Sequence, residues 1–507
     1  MIDTTAAFAG FSLLGDLHAW AVVPPGLLIG LVFGAIPGLS TSIAMALFLP
    51  ATLYMDFLPA ILFLTSIFTG GGFGGAVPAI LMNIPGTSAA VATAFDGYPM
   101  AQQGRHSEAL GLGLAASVIG TFVGYAVLLL TVDFIAEWVL RLGPTEMLLV
   151  ALWGLTLIAV LNTGSFAKSV AAGVFGLLIS TIGYSDAGQM RGTFGSMYLL
   201  DGIPVIPVLI GLFAASELFN LIGRDYIVRD EALRVVSIRK IFAGMAESLR
   251  HPVELLRGSL LGVGIGAVPG VGSSIANLAS YGIAKRRARN PDSFGKGNPT
   301  GVVASESANS SSEGGSMVTL LALGLPGGAG TAVLLGAFAI HNVTGGPRFI
   351  AENKDIVYAL IFGNMAQALL LLIIGVIFVY FAGAIVKVPL RLMTPLVMVL
   401  SVLGAFAMTS NMVGPITVVV SGAIGWLMRR YDYPVAAAVV GLLVGKMAEG
   451  ELVRSYQVSG GDIGFILGRP ITLAIIGLLT LSLLPRLIGV LRVKQPVGVN
   501  PTGGSIR

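Results

Sequence analysis

The sequence predicts an all-α polytopic membrane protein built from two repeated halves. Of its 507 residues, 55% are hydrophobic and only 11% are charged, whereas soluble proteins carry about 25% charged residues. Apolar stretches long enough for a membrane helix, which needs about 20 residues, recur along the chain. The third observation is an internal repeat, because residues 26–47 and 258–279 align without a gap and share 10 of 22 positions.

The apolar stretches predict about 11–13 helical elements in the membrane. They lie near residues 20–53, 57–84, 108–135, 138–161, 166–184, 203–223, 258–284, 316–340, 355–386, 389–408, 410–429, 433–447 and 470–492. We interpret residues 1–223 as the first membrane half and residues 258–494 as the second. Residues 224–257 are expected to form a basic cytoplasmic linker, and residues 495–507 a disordered C-terminal tail.

Each copy of the repeat is interrupted at its centre by a Pro-Gly pair, and a second interruption follows in each half. The four pairs are Pro37-Gly38, Pro85-Gly86, Pro269-Gly270 and Pro326-Gly327. Because proline lacks the N–H that a helix interior requires, we expect discontinuous helices at these positions. In membrane transporters, paired interruptions of corresponding segments point to a binding site near the bilayer midplane.

The charges beside the two copies predict that the halves are inverted relative to one another. Basic residues flank the second copy on both sides, at Arg257 and from Lys285 to Arg289, which predicts cytoplasmic flanks. Only 27 residues separate Arg257 from Lys285, too few for two crossings of about 20 residues each. The first copy has acidic flanks and no Lys or Arg before Arg105. We therefore expect re-entrant hairpins that enter from opposite faces; the alternative is two crossing helices kinked at Pro-Gly.

The residues that follow each break begin a new half-helix, whose free N–H groups carry a partial positive charge. Small hydroxyls and bare amides at such an end suit a carboxylate, so we predict a substrate site there. The candidate substrate-binding residues are Ser40, Thr41, Ser42, Asn83, Pro85, Gly86, Thr87, Ser88, Ser273, Ser274, Asn309, Pro326, Gly327 and Thr331. Asn83 has an alternative role as the cap of the preceding helix.

Carbonyl groups at the ends of the preceding half-helices suit a hard cation such as Na⁺. The candidate coupling-ion residues are Pro37, Gly38, Pro269, Gly270 and Glu306. Glu306 belongs to the run SESANSSSEGGS and would be functional if it lies within the membrane; the alternative is an aqueous loop. The glycines of the repeat have the alternative role of close helix packing. Asp96, in FDGYPM, is expected to be structural.

Other function classes find little support. The sequence contains no HExxH, GxSxG or P-loop pattern, and its four histidines are scattered, so we expect neither an enzyme nor a cofactor. The net charge of +4 reflects basic cytoplasmic loops rather than a nucleic-acid partner. Because the sequence has no ATP-binding motif, we expect transport to be driven by coupling to Na⁺ or H⁺. The alternative is a passive channel or a membrane scaffold for a solute-binding protein.

Four segments resemble the large membrane subunit of the tripartite tricarboxylate transporters, the TctA family. They are GAIPGLSTSIAMALFLP, NIPGTSAAVATAFDGYPMAQQG, ESANSSSEGG and LGLPGGAGTAVLLGAF. The resemblance implies a multi-pass permease of the bacterial inner membrane. Its implied partners are a small TctB-like membrane subunit and a periplasmic TctC-like solute-binding protein, and its implied task is cation-driven uptake of citrate or a related small carboxylate.

The chain departs from the family pattern in two places. After Pro326-Gly327 it has Gly328-Ala329-Gly330, where a hydroxyl is common. Family members usually read ESANNA, whereas this chain has Ser310 in place of the second Asn, and an additional acid at Glu313. The resemblance therefore implies the family more firmly than it implies the substrate.

Overall fold

The computed structural model describes residues 3–36, 39–161, 165–185, 188–216, 236–385, 390–462, 464 and 468–492. Over these ranges the chain is almost entirely helical. The one β-structure among them is an antiparallel pairing of β1 (Gly183–Tyr184) with β2 (Met190–Arg191). The predicted all-α fold class is confirmed.

Four helical stretches of the described chain are long and apolar enough to cross a membrane. They are Leu17–Ala35, Phe57–Met82, Ser88–Val139 and Lys354–Phe381. Other apolar helices are shorter, for example Thr41–Tyr54 and Ala329–Ile340. Both of these follow a break, and a break divides an apolar stretch into pieces shorter than the about 20 residues that a span requires.

The first half of the chain contains eleven described α-helices, several of them joined by short turns of tighter or wider helix. They are α1 (Thr4–Leu13), α2 (Leu17–Ala21), α3 (Val23–Ala35), α4 (Thr41–Phe48), α5 (Phe57–Gly74), α6 (Ala76–Met82), α7 (Val91–Met100), α8 (His106–Val139), α9 (Pro144–Leu161), α10 (Phe166–Ser180) and α11 (Val205–Leu209). Helix α11 continues as a wider helical turn over Ile210–Ala215.

The remaining described helices begin within the predicted linker and run to the end of the described chain. They are α12 (Ile238–Ser248), α13 (Pro252–Gly266), α14 (Gly272–Arg287), α15 (Pro299–Leu323), α16 (Ala329–Ile340), α17 (Pro347–Glu352), α18 (Lys354–Ile385), α19 (Leu390–Thr409), α20 (Val413–Arg430), α21 (Val435–Ser459) and α22 (Pro470–Arg492).

The two copies of the internal repeat pack against their neighbouring helices in the same way. In the first half α3 lies against α5, and in the second half α13 lies against α15. A Cβ added at Gly34 would overlap the backbone of Gly71, and one added at Gly266 would overlap the backbone of Ser312. Because Cα–H and carbonyl groups touch directly along both pairs, only glycine fits. The close-packing role of these glycines is therefore correct.

The polar run SESANSSSEGGS lies inside helix α15. Every residue from Gly301 to Met317 is buried, so the aqueous-loop alternative is wrong, and the helix begins at Pro299 rather than near residue 316. Many of the hydroxyls donate to carbonyls one turn earlier, as Ser305 does to Val302 at 3.0 Å and Ser312 to Asn309 at 2.6 Å. These local bonds satisfy the serines without water.

Part of the predicted linker is a packed helix. Helix α12 is amphipathic and lies against α8, where Gly111 approaches the backbone of Ile241 and Gly244 approaches that of Glu108. Helix α13 begins at Pro252, before the predicted start of the second half. Residues 217–235 and the predicted tail, residues 495–507, lie outside the described residues.

Candidate functional site

The first break separates α3 from α4, and the start of α4 is capped by the chain itself. The Ser40 hydroxyl accepts the N–H of Ile43 at 3.3 Å and lies 2.9 Å from the Ser42 hydroxyl. Serine is a preferred residue at this capping position. The break residues Pro37 and Gly38, predicted as coupling-ion residues, lie outside the described residues.

The second break follows α6 and is closed by backbone contacts. Helix α6 ends at Met82 and is followed by Asn83, which has a left-handed φ of 57° and an exposed side chain. Asn tolerates this conformation better than most residues, so its capping role is supported. The N–H of Gly86, next to Pro85, donates to the Gly75 carbonyl at 3.1 Å. A side chain at Gly86 would overlap the Gly34 carbonyl.

The third and fourth breaks are hydrogen-bonded to one another. The N–H of Gly270 donates to the carbonyl of Pro326 at 3.2 Å, and the N–H of Gly272 donates to that of Gly327 at 3.1 Å. Gly270 and Gly272 both have left-handed φ values, 75° and 70°, which favour glycine. These two bonds supply internal partners for backbone groups that lipid cannot satisfy.

A small polar cavity lies between the two halves. It is lined by Thr41, Phe68, Thr69, Gly72, Thr87, Ala89, Ser273, Asn309, Ser310, Ser312 and Glu313. The first break supplies Thr41, the second supplies Thr87, and the third supplies Ser273; helices α5 and α15 supply most of the rest. The space open to the centre of a water molecule is about 30 Å³, enough for roughly two waters, so the cavity is nearly closed.

Four of the predicted substrate-binding residues therefore meet at one cavity: Thr41, Thr87, Ser273 and Asn309. The hydroxyl of Thr87 is buried and has no hydrogen-bond partner in the described part of the chain. The amide of Asn309 donates to the Gly72 carbonyl at 3.1 Å, which ties α15 to α5 across the cavity. Residues beside three of the four breaks thus line one cavity, and their role in substrate binding stays a prediction.

Other predicted residues lie outside the lining and have structural partners. Ser88 and Ser274, from the second and third breaks, are 2.8 Å apart and join the two halves. The Thr331 hydroxyl accepts the N–H of Gly328 at 2.9 Å and so caps α16. The carbonyls of Pro326 and Gly327 accept the hydrogen bonds from the third break, and Pro269 packs against Gly154.

Glu313 is the one carboxylate in the cavity lining. Its side chain is 4% exposed, and one carboxylate oxygen, Oε1, accepts the hydroxyls of Thr69 at 2.7 Å and Tyr125 at 2.8 Å. Among the described residues, no Lys, Arg or His forms an ion pair with it. The second carboxylate oxygen has no protein partner in this part of the chain.

Glu306 lies two turns earlier on α15 and has a different environment. It is fully buried, and its carboxylate accepts the Thr93 hydroxyl, the Ser117 hydroxyl at 3.0 Å and the Asn309 amide at 3.5 Å. Both of its oxygens are therefore engaged by the protein. It lies outside the cavity lining, and its predicted role in ion coupling stays a prediction.

Asp96 is buried and anchors the loop between α14 and α15. One carboxylate oxygen accepts the backbone N–H groups of Gly295 at 2.8 Å, Gly297 at 3.0 Å and Asn298 at 2.8 Å. The other oxygen accepts the Tyr281 hydroxyl at 3.0 Å. These contacts support its expected structural role.

Several lining residues were missed as site residues. Thr69, Gly72 and Phe68 on α5 lie far from any break, and Ser310, Ser312 and Glu313 lie in the run whose depth the sequence leaves open. A signal was available, because the offset of 241 residues between Pro85 and Pro326 also relates Thr69 to Ser310 and Gly72 to Glu313. Extending the repeat through the uninterrupted helices identifies these positions.

Comparisons with known proteins identify two relatives of this chain. The chain is 30% identical over 474 residues to an uncharacterized 52.8 kDa protein in the TAR-I ttuC′ 3′ region of Agrobacterium vitis, with 92% of this chain and 93% of the relative covered. It is 29% identical over 238 residues to an uncharacterized protein in the TAR-II ttuC′ 3′ region of the same organism, with 47% and 97% covered. No solved structure matches the chain.

The family model for the Tripartite tricarboxylate transporter TctA family matches residues 21–440. The matched region contains all four breaks, both repeated helix pairs and every residue that lines the cavity. The chain therefore belongs to the tripartite tricarboxylate transporter TctA family.

Proposed function

We propose that this chain is the permease subunit of a binding-protein-dependent system that imports a small carboxylate by coupling to Na⁺ or H⁺. A tricarboxylate such as citrate is the first candidate substrate. The observation that carries the proposal is the convergence of residues beside three breaks, from both halves, on one polar cavity. Family membership supports transport as the function and a multi-subunit assembly as its setting.

The chemistry of the lining favours a carboxylate. A helix start presents free N–H groups and a partial positive charge of about half an elementary charge, which stabilise an anion. Thr41, Thr87 and Ser273 add hydroxyl donors beside these ends, and the Thr87 hydroxyl has no other partner in the described chain. Because an unpaired buried hydroxyl is unfavourable, a ligand that accepts its hydrogen bond is favoured.

The repeated packing favours alternating access. Helix pairs α3–α5 and α13–α15 pack in the same way, and α5 and α15 both line the cavity. Rocking one pair against the other would therefore open the site to alternate faces. We propose that the halves have opposite orientations in the bacterial inner membrane. The proposed partners are a small TctB-like membrane subunit and a periplasmic TctC-like solute-binding protein, which would deliver the substrate.

Uptake of radiolabelled citrate and a panel of small carboxylates tests the proposal. The chain would be expressed with its small subunit and binding protein, and the Na⁺ and pH gradients would be varied separately. Gly72→Leu narrows the cavity, because an added Cβ there meets no atom within 4 Å and points into open space. We expect it to reduce uptake at least about 10-fold while the protein inserts normally, since a site of this size tolerates little added volume.

Gly264→Leu is the matched control. An added Cβ at Gly264 also meets no atom within 4 Å, but this residue lies on the exposed face of α13, away from the cavity. Equal uptake by the two variants would contradict the assigned site. Flux that never exceeds equilibrium and ignores both gradients would instead favour a passive channel.

A further inference from the structure

We propose that Glu313 is the centre of a Na⁺ site inside the cavity, and that the bound Na⁺ lies between this carboxylate and the substrate. The inference rests on the proposed function for the identity of the substrate, but the cation site itself stands on the geometry around Glu313. It places ion binding at a residue other than Glu306, the acidic residue that the sequence suggested.

The first argument is the uncompensated charge of Glu313. Its side chain is 4% exposed, and its hydrogen-bond partners in the described chain are two neutral hydroxyls, those of Thr69 and Tyr125. Burying an ionised carboxylate away from water carries a large free-energy cost, which either protonation of the carboxylate or a bound cation removes. Because both hydroxyls donate to Oε1, the second oxygen remains available for a cation.

The second argument is the set of oxygen atoms beside Glu313. Ser310 is 6% exposed and lines the same cavity, and its hydroxyl has no hydrogen-bond partner in the described chain. Asn309 uses its amide N–H groups as donors to Gly72 and Glu306, so its carbonyl oxygen is not engaged by them. Residues three and four positions apart lie on one helix face, which brings Asn309 and Ser310 to the face that carries Glu313. Hard cations select such oxygen ligands.

The third argument is electrostatic complementarity with an anionic substrate. A carboxylate substrate held at the helix starts would face the negative charge of Glu313 across a cavity that has room for only about two waters. Like charges at such short range repel strongly in a site of low dielectric constant. A cation between them converts the repulsion into two attractions, so substrate binding would require prior cation binding. This arrangement would couple the two fluxes.

A binding measurement on the purified full-length chain tests the site without any assumption about transport. Thermal unfolding would be followed in detergent at constant ionic strength while NaCl replaces choline chloride or KCl. A ligand that binds only the folded state raises the melting temperature in a saturable way. We expect a Na⁺-specific rise of about 2 °C or more in the unmodified protein, from the size of such linkage effects.

Three variants separate the possible outcomes. Glu313→Gln should abolish the Na⁺-dependent rise. Ser310→Ala should weaken the apparent Na⁺ affinity several-fold. The Ser310 hydroxyl has no hydrogen-bond partner in the described chain, so its removal should not by itself lower the stability of the fold. Glu254→Gln makes the same chemical change on α13, outside the cavity lining, and should keep the full rise.

An equal Na⁺ response in Glu313→Gln and the unmodified protein would overturn the proposal, as would stabilisation by Na⁺ and K⁺ alike. Loss of the response in Glu254→Gln as well would also overturn it. If Na⁺ binds as predicted but no carboxylate of the panel is taken up, the cation site stands and the proposed substrate class fails.

Discussion

At the residue scale, two glutamates on one helix show how surroundings assign different roles to the same side chain. Glu306 has both carboxylate oxygens engaged by hydroxyl or amide donors, so it acts as a junction between α7, α8 and α15. Glu313 has one engaged oxygen and faces the cavity. Sequence alone cannot separate them, because the difference depends on Thr93, Thr69 and Tyr125, which come from distant parts of the chain.

Asp96 gives a prediction at the same scale. Asp96→Ala removes the acceptor of three backbone N–H groups and of the Tyr281 hydroxyl, each of which costs about 1–3 kcal/mol if left unpaired in the interior. We expect the loop from Arg289 to Asn298 to detach locally. Trypsin should then cleave after Arg289 and Lys296 at least about 10-fold faster in the purified protein, which corresponds to about 1.4 kcal/mol of local stability.

Asp292→Ala is the control for this measurement. Asp292 is an exposed carboxylate in the same loop, and its side chain accepts no hydrogen bond from the described residues. Unchanged cleavage in both variants would show that the Asp96 contacts do not hold the loop.

At the element scale, the two helix pairs explain why the repeat is rich in glycine. Along α3, Gly26, Gly30 and Gly34 approach α5 closely, and along α13, Gly258, Gly262 and Gly266 approach α15 in the same way. The glycine pattern predicted a close-packed helix face correctly. The glycine pattern could not identify the partner helices. By composition α5 is an apolar stretch and α15 contains a polar run, so the two do not look like equivalent helices.

A glycine substitution on α13 tests this packing. Gly262→Ala places a Cβ against the backbone of Ala308, whereas Gly264→Ala places one in open space on the same helix. We expect Gly262→Ala to lower the free energy of unfolding by about 1–3 kcal/mol, the usual effect of forcing atoms into a packed contact. Gly264→Ala should be neutral or slightly stabilising, since alanine favours helix by about 0.8–1.0 kcal/mol over glycine.

Thermal unfolding of both variants in detergent is the measurement. Gly30→Ala on α3 should behave like Gly262→Ala, because a Cβ there overlaps the backbone of Ile67. A stable Gly262→Ala variant would mean that the α13–α15 contact is looser than the structure shows.

At the scale of the whole molecule, the sequence predicted the breaks, their pairing between halves and four of the residues that meet at the cavity. The breaks follow from local chemistry, since each Pro-Gly pair combines a residue that lacks the backbone N–H with one that readily adopts non-helical conformations. The extent of α15 was not predictable in this way, because serine-rich helices bury their hydroxyls only when neighbouring helices cover them. The relative orientation of the halves stays a prediction from charge.

The absence of cysteine makes that orientation directly testable. Tyr54, after α4, and Arg289, after α14, follow equivalent helices and are both exposed. Single Tyr54→Cys and Arg289→Cys variants would be treated with a membrane-impermeant maleimide in right-side-out vesicles. If the halves are inverted, Tyr54→Cys should be labelled at once and Arg289→Cys only after the vesicles are opened.

The unmodified chain, which has no thiol, supplies the background signal in both conditions. Labelling of both variants from the same side would show that the repeats run parallel rather than inverted, and would remove the basis for two opposed re-entrant hairpins.

The backbone closure of the breaks has an evolutionary consequence. Because Gly270, Gly272 and Gly86 bond to carbonyls rather than to side chains, the breaks can remain fixed while the cavity-facing positions of α5 and α15 diverge. After gene duplication, a permease could then bind a new substrate through a few substitutions at positions such as Thr69, Ser310 and Glu313. Permeases with the same Pro-Gly breaks would then share a mechanism, while their substrate specificity would depend on the side chains of two uninterrupted helices, α5 and α15.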